Sequence, residues 1–194
     1  MVKVERSGRV EPLDARVRRS RSAVLDTTAA LMVERGFGGT TVDEISRRSG
    51  VAKTTIYRHW PTRADLLRDA GARLDTPLDT PDTGTVEGDL GALMKQLANA
   101  LRSAQWPAVL PSVIDAAERD ADIATLYSTL QRGFSAPFLE VLRRAAKRGE
   151  LAKSSDPAVL VAVLTGALFY RRWFSREPIT EAFVTKLVNL TLGR

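Results

Sequence analysis

Apolar side chains recur along most of this chain at intervals of three and four residues, the spacing that predicts one face of an α-helix. The clearest stripe in the second half consists of Leu90, Leu93, Met94, Leu97 and Leu101. No segment of the sequence shows the sustained two-residue alternation of a half-buried β-strand. The pattern therefore predicts an all-α protein with about nine helices.

The first part of the chain is predicted to form four helices, over about 15–35, 41–49, 52–59 and 62–74. Thr41 and Glu44 match a capping box, in which each side chain bonds to the backbone amide of the other residue. Gly36 and Gly50 follow the first two helices. Gly50 is expected to adopt a left-handed conformation and so to end the second helix.

Composition divides the chain into an arm, two helical domains and a linker. Residues 1–15 are polar and are expected to form a disordered N-terminal arm. Residues 16–74 hold the four short helices. Residues 76–84, TPLDTPDTG, have the composition of a linker. Residues 85–194 are predicted to form a second, helical domain.

One predicted helix, residues 158–169, is apolar nearly all round. Such a helix is expected to be buried on all sides, and in so small a domain a partner subunit is the expected cover. Burial within one chain is the alternative. The run is too short to span a bilayer. The predicted dimer interface consists of Val159, Ala162, Val163, Gly166, Phe169, Phe183 and Leu187.

Composition excludes several kinds of chemistry. The chain has 194 residues, no cysteine and one histidine. Disulfides, thiolate metal sites and histidine metal clusters are therefore excluded, and no nucleophile–base pair or phosphate-cradling glycine loop is apparent. The sequence thus predicts neither an enzyme nor a bound cofactor. With no apolar leader at the N-terminus, a soluble cytoplasmic protein is expected.

Charge is distributed unevenly. Residues 1–74 contain 15 Lys and Arg against 9 Asp and Glu, whereas residues 75–194 contain 14 of each. The whole net charge of +6 therefore lies in the first part. A basic segment beside a neutral one indicates contact with a polyanion, and a solubilising basic face is the alternative. Arg16, Arg18, Arg19 and Arg21 could reach a phosphate or the minor groove, or could form such a solvated face.

Residues 41–60 have the features of a helix-turn-helix: a bracing helix, a glycine turn and a short second helix. Ile56 and Trp60, four residues apart, are expected to face the core. The polar side chains of this second helix suit a DNA major groove. Candidate phosphate contacts are Lys53, Tyr57, Arg58 and His59, and candidate base contacts are Thr54 and Thr55. Taken singly, Lys53 and Arg58 could equally be solvated charges. Tyr57 alone would more often be a packing residue, and His59 alone a plain surface histidine.

The motif as a whole resembles the N-terminal signature of TetR-family transcriptional regulators. The resemblance covers roughly residues 17–70 and is carried by Phe37, Thr40, Thr41, Val42, Ile45, Gly50, Val51, Lys53, Thr55, Ile56, Tyr57, Arg58, His59, Trp60, Arg63, Leu66 and Leu67. It implies that Thr41 and Arg63 also contact DNA. Ala52 departs from the capping serine frequent in the family, and Thr54 from a small residue.

The resemblance further implies a homodimeric repressor that leaves DNA when a small ligand binds its C-terminal domain, with the last two long helices forming a four-helix dimer interface. Two recognition helices spaced by about one DNA turn, roughly 34–36 Å, predict a palindromic operator. The predicted ligand pocket is lined by Met94, Leu97, Leu101, Trp106, Leu110, Tyr127, Phe134 and Phe138. Arg102 and Gln105 are its candidate polar anchors.

Three functions remain open at this point. The predicted pocket lining is apolar and aromatic, which favours an apolar or aromatic effector, although such stripes are more often plain core. A ligand-independent activator or an architectural DNA-binding protein is the second hypothesis. An enzyme with an incidental basic segment is the third.

Overall fold

A computed structural model describes residues 13–74 and 77–194, and within these ranges the chain forms nine α-helices joined by loops. It is divided into two compact units, Met1–Leu74 and Asp75–Arg194. The first unit holds α1 Leu13–Arg35, α2 Val42–Ser49, α3 Lys53–His59 and α4 Arg63–Gly71. The second holds α5 Val86–Ser103, α6 Trp106–Ala117, α7 Ala121–Lys147, α8 Pro157–Phe169 and α9 Glu181–Thr191. The all-α prediction is confirmed.

The start of α1 differs from the prediction. The helix begins at Leu13, so residues 13–15 of the predicted disordered arm are helical. The rest of that arm, residues 1–12, lies outside the described residues. The helix end is as predicted, because Gly36 follows Arg35 with a φ of 70° and donates its N–H to the carbonyl of Met32 at 3.0 Å.

The core of the first unit is made where α1 contacts α2 and α4. Its fully buried side chains include Leu31, Phe37, Ile45, Ile56, Leu66 and Leu67. Thr28 is also buried, and its hydroxyl donates to the carbonyl of Val24 at 2.7 Å. This bond satisfies a polar group that would otherwise destabilise the core.

The predicted capping box at the start of α2 is half wrong. Thr41 accepts from the Glu44 amide at 3.3 Å, but the Glu44 carboxylate accepts from Arg47 and Arg48 at 2.7–2.9 Å. Charged donors are stronger partners than a backbone amide. Among the described residues, the complete capping box begins α4, where Thr62 and Asp65 bond reciprocally.

In the second unit, α5 contacts α7, α8 and α9. Leu90, Leu93, Met94, Leu97 and Leu101 of α5 are all fully buried and form the middle of its core. The hydrophobic stripe predicted from the sequence is therefore the inward face of α5. Burial of such a face is the main source of helix stability in a folded protein.

The segment before α5 is bonded to the second unit. The backbone of Asp79 exchanges two hydrogen bonds with the Gln96 side chain, at 2.9 and 3.3 Å. The guanidinium of Arg144, on α7, donates to the carbonyl of Pro81. Thr83 donates its amide and hydroxyl to Asp89 Oδ1 at 2.6 and 2.9 Å. Residues 79–83 are thus held against α5 and α7.

Asp89 is a buried carboxylate with several partners. Its Oδ2 lies 3.5 Å from Arg148 and 4.0 Å from Arg144. Burial raises its pKa, but the bonds from Thr83 and the charges of Arg144 and Arg148 outweigh burial and hold the pKa below its usual range. Asp89 is therefore charged at neutral pH.

The apolar helix α8 is buried on one side only. Val161, Leu164, Thr165 and Leu168 lie in the core, whereas Val159 is 56% exposed. The alternative that a single chain buries this helix on all sides is therefore wrong, and cover by a partner subunit stays a prediction.

A π-helical segment, Tyr170–Ser175, directly continues α8. The prediction that the run is too short for a bilayer missed this extension. Pro157–Ser175 is a 19-residue helical stretch of mean hydropathy 1.2, which by length and composition alone is enough to cross a membrane. One face of its α8 part packs into the core, and Arg171 and Arg172 lie in the extension, so we interpret the stretch as a helix of a folded domain.

Candidate nucleic-acid interface

The second helix of the motif, α3, has one buried side and one exposed side. Ile56 is 1% exposed and Trp60, which follows the helix, is 2% exposed. Lys53, Thr54, Tyr57 and Arg58 are exposed on the other side, and Thr55 and His59 are half-buried. The helix thus presents polar and aromatic groups to solvent, and a DNA major groove is wide enough to admit such a helix.

The ends of α3 follow from local sequence. Gly50, with a φ of 70°, ends α2 and turns the chain towards α3. Ala52 occupies the N-cap and, in the described structure, makes no side-chain capping bond. An amide at the start of α3 therefore lacks the usual side-chain acceptor and is open to another acceptor.

Charges on the candidate surface are partly paired within the protein. Lys53 forms an ion pair with the exposed Asp43 of α2. The guanidinium of Arg58 lies 3.4 Å from the Thr55 hydroxyl. Exposed contacts of this kind contribute little stability, so a phosphate can replace them.

A tighter cluster of charges surrounds Glu44. The hydrogen bonds from Arg47 and Arg48, and the charge of Arg35 at 3.3 Å, lower the pKa of Glu44 to about 2. Arg48 also pairs with Glu34 at 2.7 Å. These arginines have carboxylate partners within the domain and brace α2 against α1.

Arg63 has a different position from the other predicted DNA contacts. Its Nε donates to the Thr40 carbonyl at 3.0 Å and its Nη2 donates to the Phe37 carbonyl. The guanidinium also lies 5.8 Å from the centroid of the Phe37 ring. The side chain is therefore directed at the loop between α1 and α2. The predicted contact Thr41, in contrast, is exposed at the N-cap of α2.

Sequence reasoning missed Asp69 of α4. Its Oδ2 accepts from the indole Nε1 of the buried Trp60 at 2.9 Å and lies 3.4 Å from Nη2 of Arg21. A buried tryptophan needs an acceptor for its N–H, so Trp60 was the signal that a polar partner should exist. Arg16, Arg18 and Arg19, the other basic residues considered on α1, are exposed.

The predicted ligand-pocket residues fall into two groups. Met94, Leu97, Leu101 and Phe138 are fully buried in the core. The other four are half-buried, namely Trp106, Leu110, Tyr127 and Phe134. The two predicted anchors also differ from expectation: Arg102 donates to the Ile179 carbonyl at 2.6 Å, and Gln105 is the N-cap of α6.

A cleft of about 760 Å³ lies elsewhere, between α5 and α9. Its lining includes Gly88, Gly91, Lys95, Val188 and Asn189, and the described lining contains no residue predicted for the pocket. No group of three or more potential metal-ligating side chains occurs within residues 13–74 and 77–194.

The exposed side of α8 forms an apolar surface, which we call the α8 face, made of Val159, Ala162, Val163 and Gly166. It continues to Tyr170 and Phe174, whose rings are stacked with centroids 5.8 Å apart and which are both exposed. On α9, Leu190 is 77% exposed.

Three residues of the predicted interface are buried or half-buried within the chain. Leu187 is only 8% exposed, because it packs into its own core with Val184 and Val188. Its place in the dimer interface stays a prediction, although this chain already covers most of its side chain. Phe169 is half-buried against Phe134 and Trp173, with ring centroids 5.9 and 5.2 Å apart. Phe183 is also half-buried, beneath the guanidinium of Arg171 at 3.6 Å.

The fold and the exposed surface of α3 define a class of protein: a helix-turn-helix DNA-binding regulator with a second, helical domain. Comparison with known protein families supports this class in both parts of the chain. Residues 24–70 match the family described as bacterial regulatory proteins, tetR family. Residues 80–191 match the family described as tetracyclin repressor-like, C-terminal domain. The chain belongs to the TetR family of bacterial transcriptional regulators, which are not enzymes.

Individual relatives agree. The chain is 31% identical over 170 residues to the transcriptional regulator YdeS of Bacillus subtilis, covering 86% of this chain and 84% of YdeS. It is 28% identical to the DNA-binding transcriptional repressor TetR of Mycobacteroides abscessus, covering 87% and 89% of the two chains. The protein is thus a transcriptional regulator of a DNA-binding family.

Solved structures show the same fold. The crystal structure of the TetR family transcription regulator SCO0332 is 34% identical, with a TM-score of 0.68 over 90% of this chain and 97% of that one. Salmonella enterica GusR, at 16% identity, has a TM-score of 0.72 over 96% and 99% of the two chains. The second likeness concerns the fold alone.

Proposed function

We propose that the protein is a cytoplasmic, homodimeric repressor that binds a palindromic operator through α3 and leaves it when a small apolar or aromatic ligand binds the second domain. The observation that carries this proposal is the exposed polar surface of α3 beside its two buried anchors, Ile56 and Trp60. Burial on one side and polar exposure on the other are what a recognition helix needs.

The assigned DNA contacts are Lys53, Thr54, Thr55, Tyr57, Arg58 and His59. Thr41 belongs with them, because its exposed hydroxyl lies at the start of α2, where backbone amides also favour phosphate. Lys53 and Arg58 neutralise phosphates, whereas Thr54 and Thr55 are the side chains with the reach and chemistry for base edges. Arg63 supports the interface indirectly, through the loop carbonyls that it already binds.

The DNA assignment is tested with a duplex that the wild-type protein selects from fragments of genomic DNA. Replacing Lys53 and Tyr57 together by Ala should weaken binding to every sequence and reduce the slope of log affinity against log salt by about one, the share of one lysine. Lys147→Ala, an exposed lysine of α7, is the matched control and should change neither. Unchanged affinity in the double variant would refute the assigned surface.

The proposed dimer uses the α8 face. A contiguous exposed apolar surface on a soluble protein indicates an interaction site, and the small residues Ala162 and Gly166 would allow a second helix to approach closely. The proposed occupant is a second copy of the chain, because two copies of α3 are needed to read two half-sites about one DNA turn apart.

The dimer is tested with a matched pair of substitutions. Val163 is 46% exposed on the α8 face, and Ile114 is 41% exposed on α6. Val163→Asp should give a monomer by light scattering at micromolar concentration, since it would bury an unpaired charge at the interface. Ile114→Asp should remain dimeric. A wild-type protein that is monomeric at that concentration would refute the proposal.

The ligand is proposed to enter between α6 and α7, where Trp106, Leu110, Tyr127 and Phe134 are half-buried. Ligand binding would favour a form with mis-spaced half-sites, which is a shift between two populations. The test is release of the selected duplex by a panel of small aromatic compounds. A compound that binds tightly and leaves the operator affinity unchanged is not the effector. Release by no compound would favour the ligand-independent regulator.

A further inference from the structure

One carboxylate connects three helices of the DNA-binding unit. Asp69 of α4 accepts from Nε1 of Trp60, at the C-cap of α3, at 2.9 Å. Arg21 of α1 donates to the same Oδ2 at 3.4 Å, and its guanidinium carbon lies 5.5 Å from the centroid of the Trp60 ring. Arg21, a candidate phosphate ligand by sequence, thus contacts Trp60 and Asp69.

The recognition helix depends on few attachments. With seven residues, α3 is too short to hold its own geometry and has one buried residue, Ile56. Trp60 is the second anchor, and its amide donates to the Ile56 carbonyl at 2.9 Å. Apolar packing of Ile56 is not directional, whereas the bond from the Trp60 indole to Asp69 has a fixed length and direction.

We propose that Asp69 is a positioning residue for sequence-specific DNA binding. Its carboxylate fixes the Trp60 indole, and with Arg21 it sets the orientation of α3 against α1 and α4. The role rests on DNA binding through α3 and adds to it a residue that does not touch DNA.

The consequence concerns specificity more than affinity. Lysine and arginine side chains are long enough to keep their contacts with phosphates when a helix tilts. Contacts with phosphates carry no sequence information. Contacts to base edges require a fixed register. Loss of Asp69 should therefore weaken binding to a preferred sequence and spare binding to other sequences.

The experiment compares two duplexes of equal length, one selected by the wild-type protein and one of random sequence. Asp69→Ala should lower affinity for the selected duplex at least about ten-fold, the effect of losing one base contact, and change affinity for the random duplex less than about two-fold. Asp26→Ala is the matched control: it removes the same charge from an exposed pair with Arg73 and should change both affinities less than about two-fold.

A double-mutant cycle with Trp60→Phe distinguishes a positioning role of Asp69 from a general effect on the stability of the fold. Phe has no indole N–H, so Asp69→Ala should lose most of its effect on the selected duplex in that background. Asp69→Asn keeps an acceptor oxygen and should retain more selectivity than Asp69→Ala, which gives a second variant if Asp69→Ala does not fold.

Three results would overturn the proposal. The first is that Asp69→Ala loses equal affinity for both duplexes. The second is an equal effect of Asp69→Ala in the Trp60 and Trp60→Phe backgrounds, and the third is wild-type selectivity in every variant. A wild-type protein that selects no duplex at all would refute the proposed function as well. Wild-type selection with any of the three results would refute the positioning role alone.

Discussion

Replacing Asp89 by Ala is expected to destabilise the second domain by about 3 kcal/mol. The change removes the acceptor of two bonds from Thr83 and the counter-charge of Arg144 and Arg148. Breaking a buried ion pair on one side costs about 3–5 kcal/mol. The lower end applies because the two arginines are 21% and 29% exposed and keep Asp82 and Glu150 as partners.

Asp82 supplies the matched control, since its carboxylate lies 3.2 Å from the same Arg144 but is 69% exposed. Asp82→Ala should cost less than about 1 kcal/mol, as exposed pairs do. The assay is urea unfolding followed by circular dichroism, in which a loss of about 3 kcal/mol shifts the midpoint by about 1–3 M at the slopes usual for a small protein. Equal shifts in the two variants would refute the argument that burial makes Asp89 important.

Three further predictions concern the DNA-binding unit. Gly50→Ala should destabilise it by about 1–2 kcal/mol, because the left-handed backbone strains alanine while the added Cβ meets open space. Gly91→Ala is the control: its Cβ also meets open space, but Gly91 has ordinary helical backbone. In thermal unfolding this variant should be neutral or more stable by up to about 1 kcal/mol. Folding lowers the pKa of Glu44 from 4.5 to about 2. The difference in melting temperature between the wild type and Glu44→Gln should therefore be largest above about pH 4.5 and should shrink as the pH falls towards 2. A difference that does not change with pH would contradict this. Arg63→Ala should lower the free energy of unfolding by about 2 kcal/mol, the contribution of a charge-assisted hydrogen bond. It should leave unchanged the slope of log DNA affinity against log salt concentration. A slope reduced by about one would show that Arg63 contacts a phosphate instead.

The recognition motif could be predicted from the sequence because its rules are local. The glycine turn, the absent cap at Ala52 and the inward positions of Ile56 and Trp60 depend on residues within a few positions of one another. Helical spacing is enough to place such side chains on opposite sides of a short helix.

Choices between competing partners could not be predicted in this way. Glu44 binds Arg47 and Arg48 instead of closing the capping box, and Arg63 binds loop carbonyls 23 and 26 residues earlier in the chain. Both outcomes depend on charged donors that folding brings close, and a sequence pattern carries no such distances.

The hydrophobic pattern also could not predict which side chains a neighbouring helix buries. Leu187 and Leu190 lie on one predicted side of α9, yet Leu187 is buried in the core and Leu190 is largely exposed. The periodicity of an apolar helix shows which residues share a face but not which neighbour covers that face. The same limit explains why Met94 and Phe138 of the predicted pocket are fully buried core residues.

The bonds that hold residues 79–83 against α5 and α7 shorten the part of the chain that could serve as a flexible linker. A free nine-residue tether has a root-mean-square span of about 16 Å, close to half a DNA turn, and would let a dimer tolerate many half-site separations. Because the backbone of Asp79 is bonded to Gln96, and Thr83 is bonded to Asp89, residues 79–83 belong to the second unit and do not act as a free tether. For the proposed dimer, a shorter linker means that fewer half-site separations are tolerated than a nine-residue tether would allow.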